Sequence, residues 1–234
     1  MLGKVDNSSY CKNVVSAESV NLFYNNARII VAGNSFSGKT FFSLKLLKKY
    51  ISIFDRIILA DCPNNVEFTN DEILNKKIEI YNYIPSINEL SMTYPDSHII
   101  VVLDDNYNES FNSKEAMEIF VRGRHKNISS LLITQNLLSK ARYQRDISLN
   151  ATHFILFKIR DLSQIQILAR QIYGKDYSKS ILDVYKYIQK NQKFGHLLID
   201  LSSNAIPSTE LRSNIAAEEG DGINSFELCY KILN

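Results

Sequence analysis

Residues 33–40 read GNSFSGKT, an instance of G-x-x-x-x-G-K-[ST]; they follow the apolar run RIIVA and precede FFSLKLLKKY. That order constrains the fold more than any other feature: a buried strand must pass into a helix through a loop whose backbone N–H groups converge. Gly33 and Gly38 permit conformations and close approaches that a Cβ would block. The N–H groups of Asn34, Ser35, Phe36 and Ser37, and the helix start carrying Lys39, Thr40 and Phe41, then face one point suited to phosphate oxygens. Lys39 supplies a compact positive charge at the β- and γ-phosphates, and the Thr40 hydroxyl is a hard oxygen ligand for Mg²⁺. Residues Gly33 through Phe41 are thus candidate ATP-binding residues.

Short β-branched runs alternate with longer amphipathic ones along the rest of the chain. Strands are expected at 28–33, 56–61, 78–83, 98–105, 128–135, 152–158 and 194–201. Helices are expected at 37–52, 113–124, 163–174 and 178–190, the first with Phe41, Leu44, Leu47 and Tyr50 or Ile51 on its apolar side. Continuous apolar strands alternating with helices predict an α/β fold, a mostly parallel sheet flanked by helices on both faces. Residues 1–26 read as an N-terminal arm or edge and 27–201 as the phosphate-loop domain. Residues 202–234 read as a polar, mobile tail in which SFELCYKIL could form a short docking helix.

A second motif ends the most apolar strand, IIVVLDD (99–105). A carboxylate there can hold Mg²⁺ beside a phosphate loop, which suits Asp104, while Asp105 can orient or deprotonate the attacking water. Gln135 ends a strand expected beside the Asp strand. It is either a reporter of the γ-phosphate or a strand-end amide in a turn. Arg122, Arg124 and Arg145 have three readings: a guanidinium for a neighbouring subunit's γ-phosphate, a contact to DNA phosphates, or a solvated helix end. The spacing between the loop and the Asp pair leaves room for an added strand, the arrangement of RecA-like ATPases. GTPases need N-K-x-D and D-x-x-G, and neither occurs.

Composition narrows the field. A net charge of +2 is too mild to diagnose nucleic-acid binding. Cys11, Cys62 and Cys229 lie far apart and form no metal or redox motif, so a reducing, intracellular setting is expected, with no secretion signal and no membrane span. The four histidines, His98, His125, His153 and His196, share no ligand pattern and are expected to be structural.

The blocks GNSFSGKT, VVLDD, RGRHKNISSLLITQNL, RDISLNATHFILFK and RDLSQIQILARQIYG, in that order, resemble the DNA-packaging ATPases of the FtsK–HerA superfamily. The likeness runs from about Arg28 to Leu201 and is nearest to the poxvirus-type enzymes and those of Polinton/Maverick elements. It implies a P-loop, RecA-like ATPase that pumps double-stranded DNA into a preformed capsid from a capsid vertex. The motor would be a homo-oligomeric ring of five or six copies, acting inside an infected cell. It further implies that Lys39 and Thr40 form the first motif, Asp104 and Asp105 the second and Gln135 the third, with Arg122 or Arg124 completing a neighbour's site. Pore-facing DNA contacts are expected from 140–145 (KARYQR) and 122–126 (RGRHK). Competing readings are a helicase, a phosphotransferase, or a non-catalytic ATP-dependent assembly switch.

Overall fold

The computed structural model describes residues 10–15, 23, 26–61, 66–105, 109–205, 209–215 and 227–232. The chain runs β1 (Tyr10–Val15), β2 (Arg28–Ala32), α1 (Lys39–Lys49), β3 (Arg56–Ala60), α2 (Val66–Thr69), β4 (Ile78–Tyr81), α3 (Ile87–Thr93) and β5 (Ile99–Asp105). It continues α4 (Glu109–Asn112), α5 (Lys114–Arg122), a 3₁₀ turn (Gly123–Lys126), β6 (Ile128–Thr134), α6 (Gln144–Asn150), β7 (His153–Leu156), α7 (Leu162–Asn191), β8 (Leu197–Asp200), β9 (Leu211–Ser213) and β10 (Glu227–Ile232).

One sheet contains all ten strands, in the order β1-β10-β9-β8-β7-β2-β6-β5-β3-β4. The six strands from β7 to β4 are parallel, and β8, β9, β10 and β1 continue the sheet antiparallel. The strand inserted between the phosphate-loop strand β2 and the Asp strand β5 is β6; β3 and β4 lie beyond β5.

Alternate residues of each central strand enter two separate cores. Ile29 and Val31 face Phe42, Leu46 and Leu47 of α1. Ile30 and Ala32 face the layer that includes Ile119, Phe120, Ile147 and Leu168. Burial on both faces is why these strands read as unbroken apolar runs. The long segment α7 is interrupted at Gly174 (φ 78°), which separates the two helices that the sequence spacing predicts.

Three details depart from the sequence reading. The buried side of α1 carries Lys39, Phe42, Ser43 and Leu46, while Phe41 is 63% exposed. Lys39 turns into the loop, and that fixes the helix rotation: residues three, four and seven positions later share its side. The C-terminal stretch expected as a short helix is the strand β10, held between β1 and β9. Residues 211–215, expected in a mobile tail, include the fully buried strand β9. Residues 206–208 and 216–226, also assigned to that tail, lie outside the described residues. Among the described residues, no helix is long and apolar enough to cross a membrane.

Candidate phosphate-binding cleft

The loop hangs from the C-terminal end of β2 and is tied on both sides. Gly33 N–H donates to the Thr134 carbonyl (3.1 Å) at the end of β6, and Asn34 N–H to the Lys158 carbonyl (2.8 Å) after β7. Gly33 has no room for a side chain, since a Cβ would stand 2.6 Å from Cβ of Phe157. Gly38 takes φ 96° immediately before α1, a left-handed conformation natural to glycine. The helix start carries no side-chain cap, so its N-terminal dipole faces the cleft.

Lys39 is almost fully buried, and its Nζ donates to the carbonyls of Gly33 (2.8 Å) and Asn34 (2.9 Å). Burial lowers the pKa of its ammonium, and the Asp104 charge opposes that shift. Two carbonyl acceptors thus stand where phosphate oxygens could replace them. A cleft of about 390 Å³ opens here, and its wall includes Ser37, Lys39, Thr40, Glu67, Asp104 and Gln135. Gln135 follows β6 and receives the Ser35 hydroxyl on its Oε1 (3.1 Å), a direct link between phosphate loop and strand end. The following turn is braced, because the Gln164 Oε1 accepts from the N–H of Leu137 (3.1 Å) and Leu138 (3.3 Å). Asp104 and Asp105 occupy the last two positions of β5, in register with Ile133 and Thr134. The Asp105 side chain lies outside the described part of the structure.

Arg122 and Arg124 are exposed just before β6, at the opposite end of the parallel strands from the loop. The Asn26 side chain donates to the Arg124 carbonyl (3.2 Å), and the Arg124 charge, after burial, lowers the pKa of Arg28 at the start of β2. Gly33 lies five residues further along that strand, roughly 16 Å away at strand rise. Neither arginine belongs to the cleft of its own chain. The two basic segments also separate, with 122–126 at the C-terminal end of α5 and 140–145 beside α4. There Arg142 N–H donates to the Asn112 side chain (3.0 Å), and the Arg142 guanidinium stands 5.1 Å from the Tyr143 ring centre.

Residues 15–219 match the family model described as Poxvirus A32 protein. The chain belongs to the poxvirus A32 protein family. It is 26% identical over 208 residues to the "DNA packaging protein OPG160" of Vaccinia virus (strain Copenhagen), an alignment covering 79% of this chain and 72% of the relative. The protein of that name from Variola virus matches over the same shares at 26% identity. Among solved structures, the genome packaging NTPase B204 from Sulfolobus turreted icosahedral virus 2, in complex with ATP-gammaS, superposes with a TM-score of 0.53 at 15% identity. The superposition covers 78% of this chain and 96% of B204, and the likeness is one of fold.

In this A32-family chain two cleft residues carry no local sequence signal. Glu67 comes from α2, after β3, and Phe194 from the turn between α7 and β8. Their neighbours CPNNVEFTN and NQKFGH match no motif, and only the fold brings them to the loop. The histidines are scattered. His98 sits by Ser129 (Nε2 to Oγ 3.1 Å), and His125 is exposed beside Arg124. His196 is buried between Phe42 and Phe157. His153 belongs to a buried charged strut, with its Nε2 3.2 Å from Asp200 Oδ1 and the Arg212 guanidinium 2.9 Å from Asp200 Oδ2. No group of three or more His, Cys, Asp or Glu that could hold a metal occurs among the described residues.

Proposed function

We propose that this chain is an ATP-hydrolysing motor that moves double-stranded viral DNA into a preformed capsid. The observation that carries the proposal is the cleft, where Lys39, Thr40, Asp104 and Gln135 meet on a strand order with β6 inserted between the loop strand and the Asp strand. The A32-family match and relatives named DNA packaging proteins supply the biological setting.

In this reading each residue has a separable task. The loop N–H groups and the start of α1 bind the phosphates, and Lys39 exchanges its two carbonyl partners for β/γ-oxygens. Thr40 and Asp104 offer hard oxygen donors on one cleft wall and fit Mg²⁺, which when bound neutralises phosphate charge. Asp105 orients the attacking water. Gln135 senses the γ-phosphate and reports it through Ser35. Because Arg122 and Arg124 sit at the far end of the parallel strands, either could reach a phosphate only in another copy's site, and a ring of copies satisfies that geometry. DNA, the ring and a capsid vertex protein are the partners this reading requires.

ATP hydrolysis by the purified chain, with and without linear double-stranded DNA at low salt, tests the proposal beside Lys39→Ala and Asp105→Asn. DNA should raise turnover several-fold, and both substitutions should lower it by at least about a hundredfold, the scale of losing one transition-state contact. Turnover indifferent to DNA, or phosphate passed to an acceptor other than water, would favour a phosphotransferase.

A further inference from the structure

Phe194 is 58% exposed, yet it does not stand on a loose loop. The turn that carries it is held through the two residues that follow it. The Gln189 side-chain amide donates to the Gly195 carbonyl (2.8 Å). Gly195 lies so close to the last turn of α7 that a Cβ would come within 2.8 Å of Ile188 Cγ2 and Gln192 Cβ. The next residue, His196, is buried against Phe42 and Phe157. A rigid turn thus holds a large apolar ring out in solvent.

That ring lies against the phosphate loop. Its Cδ1 is 3.5 Å from where a Gly38 Cβ would stand, and Phe194 lines the same cleft as Lys39 and Thr40. Gly38 immediately precedes α1, at the end of the loop that would hold the phosphates. Lys193 Nζ lies over the Phe194 ring, 5.4 Å from its centre, so a cation covers one face and a base would use the other or displace it.

We propose that Phe194 is the stacking platform for the nucleotide base. The inference rests on the nucleotide-binding reading of the cleft and adds how the base is held. A phenyl face offers no hydrogen-bonding groups, and stacking accepts any base because every base has a π-face. Base selectivity is therefore weak, and purine triphosphates bind nearly alike.

Calorimetric binding of ATPγS, GTPγS and inorganic tripolyphosphate to the full chain separates the outcomes. The variants are Phe194→Ala, Phe194→Tyr and Lys39→Ala, with far-UV circular dichroism to verify folding. Phe194→Ala should weaken ATPγS roughly tenfold, the scale of one base–aromatic stack, and leave tripolyphosphate unchanged. Phe194→Tyr should restore ATPγS binding, and GTPγS should bind within about threefold of ATPγS. Equal ATPγS affinity in Phe194→Ala, or equal losses for ATPγS and tripolyphosphate, would overturn the platform. If wild type binds neither, or Lys39→Ala binds both as wild type does, the nucleotide reading falls and takes the platform with it.

Discussion

His196 shows how a single side chain near the cleft can tie stability to acidity. It is buried behind the phosphate loop and accepts the Ile215 N–H on its Nε2 (3.4 Å). Burial pushes its pKa down to about 4, against the pull of its hydrogen bond to the Phe194 backbone. The folded protein therefore keeps this ring neutral where an unfolded chain would protonate it. Its contribution is complete above about pH 6.5 and is lost as pH falls toward 4. Urea unfolding should show about 2 kcal/mol less stability at pH 5 than at pH 7 from this group. His98, half-buried with its pKa also lowered by burial, adds to the same slope. His196→Gln, which cannot titrate, should flatten most of it; an unchanged slope would show that His196 is not the sensor.

At the scale of elements, the strut between β7, β8 and β9 decides how the antiparallel half joins the parallel half. His153, Asp200 and Arg212 are each about 1–2% exposed. Burial alone would raise the Asp200 pKa, but its hydrogen bond and charge interaction with His153 and its hydrogen bonds at Ser202 hold it at about 2. Removing one member strands the others. Asp200→Ala or Arg212→Ala should each cost roughly 3–5 kcal/mol in thermal unfolding. Replacing His153, Asp200 and Arg212 together by apolar residues of similar volume should cost less than either single change.

The same elements explain what could be read beforehand. Strands β2, β5, β6 and β7 announce themselves because burial on both faces demands unbroken apolar runs. Strand β9 does not, because LRS is three residues long and its central arginine is buried by pairing with a carboxylate from another strand. Strand β10, ELCYKI, mixes charge with apolar residues and reads equally as a short helix. The placement of Lys39, Thr40, Asp104 and Gln135 around one cleft was legible, since each is fixed by its distance from a strand end. Glu67 and Phe194 were not, because each reaches the cleft from a separate element.

For the whole molecule, the sheet puts two different sets of side chains at the two opposite ends of its parallel strands. The phosphate loop, Asp104 and Gln135 lie at the C-terminal ends of the parallel strands, and Arg122 to Lys126 at the N-terminal ends. That separation is set by strand length and does not depend on side-chain detail. In the proposed reading, that leaves one chain with a phosphate-binding cleft that lacks its arginine and an arginine that lacks a phosphate.

A subunit divided in this way has a front and a back, and copies can satisfy one another only by facing the same way round, front to back. In the proposed ring, activity would then belong to the junction and not to the chain. Two defective versions should rescue each other. Lys39→Ala keeps a sound back, and Arg122→Ala/Arg124→Ala keeps a sound front. Each should be inactive alone, yet an equal mixture should recover ATP turnover at up to about a quarter of the junctions, those that happen to pair one sound front with one sound back. A mixture as silent as its components would mean that these arginines serve some purpose other than the neighbour's phosphate.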